Sequence, residues 1–550
     1  MLLFSKKILD KNLSALSKRD NDIYTRLLQP VSDSFLKKTS DDLYYIIGNG
    51  ATRINGWKPP AAARTNESVR FFYCGADTEG HIGQILRGNP EAVLYHWDRN
   101  PYILRIALMT NDYAEFIESG RLILKLGTDI LSMNSVLQNS AKLIQPFFQK
   151  HYQSELSSAP EGENSKRALI CRGTLFIPSM KKELLEKGFQ VYTLEHDRLS
   201  LEEINRTFGE YSPDIVFSIN YVNGLAEMCQ SHGTKLICWE IDPTVSTLKS
   251  PATPVSQSFI FTYRKKNRKE YLEKGFPNAE YTPLAADPSI RYPEPPGQPS
   301  EKEIYEVPIS FIGASMKNQA AQNKKQFVEL HKRLFGQNTG NDALKIFEEL
   351  IEFQKSDFAH YNIPEKAERL CPLFLKKAKD EANTDICMLA AEEAAHQKRL
   401  FFTGALADNG IRVWGDEGWK EGLSAHGATY MGPARHLSQL NRIYSGSTIN
   451  LDINRIYQQD IITMRVFDVL ACGGFVLTED SLELREIFTP GVHLETYTEL
   501  ADLIDKAGYF IKHPDKARSV AEAGRKLVIA EHTISKRFNL MMEVSELENT

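Results

Sequence analysis

The stretch Thr448–Thr478, TINLDINRIYQQDIITMRVFDVLACGGFVLT, constrains this chain more than any other. A strand-like run, Thr448–Ile453, opens it, and a polar loop, Asn454–Asp460, follows. The spacing then predicts a compact apolar helix over Met464–Cys472, stopped at Gly473-Gly474, and a second β-rich run, Phe475–Thr478. Such a βαβ unit belongs in a parallel sheet, and open α/β sheets bind ligands at the carboxyl ends of their strands. The loop and the helix N-terminus lie at that edge. Arg465 falls in the first turn of the helix, where a cation opposes the macrodipole. Either an anion held by the helix N-terminus relieves the conflict, or Arg465 reaches solvent or pairs with Asp468 or Asp460.

The rest of the chain repeats the alternation. At 550 residues it is too long for one core. Ser68–Cys74, Ala92–Trp97 and Arg121–Leu126 read as strands of a Rossmann-like half over residues 68–127, within an α/β accessory region over 1–158. Its turn holds Gly75, Gly80 and Gly83 without GxGxxG spacing, and Asp77 and Glu79 would face any phosphate. Asp98 ends the second strand where a ribose-binding acid would stand. Gly75 and Asp98 therefore test an alternative, an S-adenosylmethionine-dependent methyltransferase-like domain, against a structural half with no cofactor. Beyond a polar linker, strands alternate with helices from Arg167 to Leu284, so 165–290 reads as a doubly wound parallel sheet. Polar residues follow its strands: His196, Asn220, Asn223, Glu240 and Asp242. A segment with five prolines, 288–304, reads as a linker. A third sheet spans 305–540, interrupted over 317–400 by charged helical sequence without strand signals.

Composition excludes several classes. A net charge of −5 and the absence of long basic runs argue against nucleic-acid partners. The densest basic cluster, Arg264–Lys269, reads as a solvated helix face. Seven scattered cysteines without a CxxC pair point to reduced thiols and a cytoplasmic setting, with no structural zinc. No 18-residue apolar run predicts a membrane span.

Two segments carry a resemblance. Ile443–Arg455 and Thr463–Phe475 resemble the signature of the spore-maturation CgeB-like glycosyltransferases. Lys187-Gly188-Phe189, Trp239–Pro243, Pro283-Leu284-Ala285, Lys512-His513-Pro514 and Glu531-His532-Thr533 look similar to further pieces of that family. The 68–127 region resembles the N-terminal part of motility-associated flagellin glycosyltransferases. These likenesses imply a GT-B architecture: two doubly wound Rossmann-like domains facing a cleft, the first on the acceptor side, the second holding a nucleotide-diphosphate sugar without metal or other cofactor. They imply a sugar transfer to a polysaccharide or a protein such as flagellin; a non-catalytic scaffold of the same fold is the other outcome. By the resemblance, Asp468 binds donor ribose, and Arg465 meets the diphosphate. Thr463, Met464, Asn450, Asn454 and Arg455 line the donor path. Gly313 and Gly415 either shape strand-end turns or admit a ligand. Asn450 is otherwise a buried, satisfied amide, and Trp414 and Trp419 are either core or flank the base, with Trp419 the better stacking candidate. Asp242, with Glu240 behind it, is the candidate base for an acceptor hydroxyl, or else a turn-forming residue before Pro243. His196, Asn220 and Asn223 are acceptor-side candidates.

Overall fold

The computed structural model describes residues 4–30, 34–47, 50–60, 69–157, 166–173, 175–197, 199–242, 248–294, 297–424, 427–434 and 437–545. The α/β class and its parallel sheets are borne out. By contact density the chain forms two compact units, each treated on its own. One holds Met1–Trp239 with Ser246–Ile260 and Lys274–Asn278; the other holds Glu240–Val245, Phe261–Glu273 and Ala279–Thr550.

In the first unit a parallel four-stranded sheet runs in the order Leu122–Leu126, Val93–Asp98, Arg70–Cys74, Ala141–Ile144. In chain order this is 3-2-1-4, a Rossmann half extended by a fourth strand beyond the three expected. That strand is four residues long and carries a lysine, too short and polar for an apolar run to announce it. The N-terminal segment also contains an antiparallel sheet of Leu36–Lys38, Leu43–Ile47 and Gly50–Arg53. Buried Arg26 joins this region to the next, pairing with Asp129 at 2.8 Å and with Glu203, on the helix Leu201–Tyr211, at 2.9 Å. The middle of the chain builds a six-stranded sheet in which Gln190–Leu194, Arg167–Cys171, Ile215–Ile219 and Lys235–Glu240 are neighbours in that order, each pair parallel.

The second unit is organised by a six-stranded sheet, parallel throughout: Thr429–Gly432, Ile411–Trp414, Ile309–Ile312, Ile449–Leu451, Val476–Glu479, Glu495–Tyr497. In chain order this is 3-2-1-4-5-6. The strand order therefore reverses between Ile309–Ile312 and Ile449–Leu451, the place where doubly wound sheets open a crevice for ligands. The fourth and fifth strands and the helix Met464–Ala471 lie where their periodicity predicts. The helix stops because Gly473 N–H reaches Leu470 O and Gly474 N–H reaches Val469 O, a left-handed cap. Between the first and second strands come five helices, Lys317–Phe335, Gly340–Lys355, Ile363–Leu370, Pro372–Ala382 and Ile386–Ala405. They pack around Phe327, Phe347, Phe374 and Leu350. The proline-rich linker is partly helical: Pro299–Tyr305 starts with proline at its first position, where the missing N–H costs nothing.

Candidate functional site

At the switch point of the second unit, Gly313-Ala314-Ser315 leaves the first strand and Asp452-Ile453-Asn454 leaves the fourth. Between them stand three arginines, Arg399, Arg455 and Arg465. The Arg399 and Arg465 guanidiniums lie against the same Phe311 ring, 5.8 and 5.1 Å from its centroid. Arg399 belongs to the last helix of the insertion. It donates to Ala314 O at 2.6 Å and Ile453 O at 3.4 Å, and so ties both strand-end loops together. Its Nε–H has no partner among the described residues, and no carboxylate pairs with it there. Burial first, then the positive charges of Arg465 and Arg455, push the Arg399 guanidinium down to about 10. A buried cation facing like charges is held at a cost that a bound anion would offset.

Arg465 pairs with Asp452; Asp468 and Asp460 do not take it. Asp452 is only 1% exposed at its side chain and also accepts from Thr463 Oγ1 at 2.9 Å and Thr478 Oγ1 at 3.1 Å. Because the Thr463 hydroxyl is turned to Asp452, it does not cap the helix Met464–Ala471, whose first amides carry no side-chain cap from that residue. Half-buried Met464 opens that helix. Asp460 is held by Arg264 at 2.6 Å, so the loop from Asn454 to Asp460 is tethered at its far end and Arg264 is not a free surface charge. Its near end is fixed by Glu479, which accepts from Asn454 N–H at 2.9 Å and pairs with buried Lys398 at 2.7 Å.

Several expected ligand contacts are corrected by packing. Asn450 is a satisfied internal amide: its Oδ1 accepts from Ser310 Oγ at 3.0 Å, and its Nδ2 donates to Tyr444 O at 3.0 Å and Phe475 O at 3.2 Å. Trp419 offers no stacking face. Its ring is wholly buried edge-on to Phe311, and its Nε1–H donates to Gly313 O at 2.8 Å. Trp414 is core as well. Gly415 is there for that indole, since a Cβ would stand 2.2 Å from Gly313 O and 2.6 Å from Trp419 Nε1. Gly415→Ala is expected to cost roughly 1–3 kcal/mol by overpacking, seen as a lower denaturant midpoint with unchanged m-value. Gly313 stays next to the arginines, where a Cβ would meet Arg465 Nη2 at 3.0 Å.

Asp468 is buried and its carboxylate is taken by Arg291 Nε at 2.9 Å. Burial raises its pKa against the pull of that arginine. Glu240 is no acid–base candidate. It is fully buried and accepts from Thr262 Oγ1 at 2.5 Å, Asn267 Nδ2 at 3.0 Å and Tyr271 OH at 3.2 Å. Asp242 is exposed two residues beyond the strand Lys235–Glu240, and Pro243 lies outside the described residues. On the first unit, Asn220 has a left-handed backbone with φ 62° after the strand Ile215–Ile219. Asn223 Oδ1 accepts from Lys249 N–H at 3.0 Å, and half-buried His196 follows the strand Gln190–Leu194.

The Rossmann half of the first unit is closed by its own side chains. Asp77 is buried and accepts from His81 N–H at 2.9 Å and Ile82 N–H at 3.0 Å, the helix-start donors that would otherwise take a ligand anion. Gln145 presses on Gly75 at the switch point, where a Cβ would lie 2.8 Å from its Oε1. Asp98 turns inward to Asn100 N–H at 2.9 Å and Tyr152 OH at 2.8 Å. Burial pushes its carboxyl up to about 7 despite those two bonds. The folded chain then keeps a proton that the unfolded chain, with an Asp near 3.9, has already lost. This group's contribution to stability therefore falls as pH rises from about 4 through about 7 and is level above. Asp98→Asn is expected to remove that fall, read as the difference between wild-type and variant unfolding free energies across the same pH series.

Arg399 escaped sequence reading because it lies at the end of what looked like a featureless helical insertion. Its one signal was spacing: Glu392, His396 and Arg399 recur at four and three residues, one face of a helix. All seven cysteines are buried and free. Among the described residues no group of three or more His, Cys, Asp or Glu side chains is arranged to hold a metal, and no helix is long and apolar enough to cross a membrane.

Residues 397–543, from the last turns of that helix through the sheet to the C-terminal helices, match the family described as Glycosyl transferase-like. This part of the chain is therefore similar to glycosyltransferase domains. No curated protein matches the chain. Among solved structures, a glycosyltransferase from Rickettsia africae ESF-5 is 11% identical, covering 70% of this chain and 100% of its own, with a TM-score of 0.43. Sucrose-phosphate synthase from Thermosynechococcus elongatus is 8% identical over 70% of this chain and 99% of its own, TM-score 0.41. HepE from Anabaena, in complex with UDP-glucose, is 10% identical over 70% and 100%, TM-score 0.40.

Proposed function

We propose that the second unit binds a nucleotide-diphosphate sugar at its switch point and that the chain transfers the sugar to a glycan or protein acceptor, without a metal. The observation that carries this reading is the meeting of Arg399, Arg455 and Arg465 beside the open N-terminus of the helix Met464–Ala471. Three cations with Asp452 as the ion partner of one of them leave positive charge for a diphosphate to neutralise. Glycosyl transfer needs that charge held as the diphosphate leaves, and helix amides and guanidiniums supply it without a cation. Asp468 acts in this reading through Arg291 and the helix, and Asp242 is the proposed base for the acceptor hydroxyl. The CgeB-like affinity, the GT-B pairing of two domains and a flagellin or surface-polysaccharide acceptor are supported by the sequence resemblance.

Thermal-shift measurement against UDP-, GDP- and TDP-sugars tests the donor site. One of them is expected to raise the melting temperature, because a ligand that binds only the folded state stabilises it. No shift with any donor, or a shift left intact by Arg465→Ala, overturns the site.

A further inference from the structure

The last helix of the insertion does more than supply Arg399. Its face of Glu392, His396 and Arg399 is turned to the strand-end loops: His396 Nδ1 bonds Ser315 O at 2.7 Å, and Glu392 Oε1 accepts from the Tyr457 hydroxyl, to which Arg455 Nη1 donates at 3.0 Å. Three polar atoms around this cluster are buried without a partner among the described residues: Glu392 Oε2, Asn454 Oδ1 and Arg399 Nε. Glu392 is 9% exposed and Asn454 3%. Buried polar atoms are seldom left unpaired, because each such group forfeits its hydration without return. One of the three is a donor, which suits an anion. The other two are acceptors, one of them anionic, and no phosphate can satisfy them.

We propose that Glu392 and Asn454 form a subsite that reads the hydroxyl groups of the sugar carried on the diphosphate, with the insertion helix acting as a specificity element. This rests on the donor-site reading above and adds the class of sugar to it. A hydroxyl or amino group donates to both acceptors, while a carboxylate sugar would set its charge against Glu392. The subsite therefore takes neutral or amino sugars and rejects uronic acids. Arg455, adjacent to Asn454 in the chain and bonded through Tyr457 to Glu392, stands between diphosphate and sugar and keeps the two halves of the ligand in register.

The test is calorimetric titration of the full chain with UDP, GDP and TDP, and with UDP-glucose, GDP-mannose and TDP-glucose. The wild type is expected to bind one conjugate more tightly than its parent nucleoside diphosphate. Glu392→Gln keeps the shape and weakens the acceptor; it is expected to lower affinity for the conjugate about 10-fold or more and to leave the parent diphosphate within about twofold. Asn454→Ala, which retains the backbone bond to Glu479, is expected to show the same split and covers the case in which the first variant does not fold. Equal loss for both ligands would mean that Glu392 only positions Arg455, and no change in either would mean that it reads nothing; both overturn the subsite while the donor site stands. A wild-type chain that binds no nucleoside diphosphate overturns the donor reading and this one with it.

Discussion

Arg399→Met is expected to weaken nucleotide-sugar binding by roughly 10- to 100-fold, the loss of about 1.5–3 kcal/mol of charge-assisted hydrogen bonding, while leaving the ligand-free protein as stable as wild type or more so. The two effects have opposite causes in one geometry. The guanidinium is buried, has no carboxylate partner among the described residues, and is repelled by Arg465 and Arg455, so its charge is a burden until an anion arrives. Methionine keeps the apolar stem against Phe311 and removes the charge. Its cost is the two bonds to Ala314 O and Ile453 O, which offset part of the gain. Melting temperatures with and without donor separate the terms. A variant that loses ligand-free stability and binds donor normally would make Arg399 a structural strut.

Arg291→Met is expected to act in the other direction, lowering stability by about 3–5 kcal/mol, because it strands the Asp468 carboxylate in the interior. That carboxylate already sits above the usual range for an Asp, and Arg291 is what keeps it from rising further. Replacing both partners, Arg291→Met with Asp468→Leu, is expected to recover most of the loss, since the uncompensated charge and not the missing bond causes it. Urea denaturation of the two single variants and the pair gives the coupling directly. Asp468→Asn, assayed by donor binding and by urea denaturation, decides between two roles for Asp468. A ribose ligand exposed to donor would lose binding on conversion to asparagine with little change in stability; the buried pair predicts that the stability change dominates.

The helix Met464–Ala471 was legible because everything that makes it is within ten residues: the apolar spacing of Val466, Phe467, Val469 and Leu470, and a Gly-Gly stop. The helical character of 317–400 was legible for the same reason, though not its division into five helices. The strand Ala141–Ile144 and the small antiparallel sheet were not, because Leu36–Lys38, Gly50–Arg53 and Ala141–Ile144 are broken by basic and small residues and are held by their neighbours and not by their own pattern. At the site, polar residues were correctly expected just past the strand ends, but their partners were not. Asn450, Trp419 and Glu240 carry the side chains of a binding site and spend them on Tyr444 O, Gly313 O and Tyr271 OH.

By itself, then, the sequence determined the α/β alternation, the βαβ unit at Thr448–Thr478 and the arginine at the start of its helix, since these depend on local periodicity and caps. Only the tertiary structure decided what that arginine meets. The strand order 3-2-1-4-5-6 sets the loop after Ile312 beside the loop after Leu451, and the insertion then lays Arg399 across both. Charges 66 residues apart in sequence, at 399 and 465, share one aromatic ring there. Electrostatic partners are set by distance in space, and no spacing along the chain encodes which strands lie side by side.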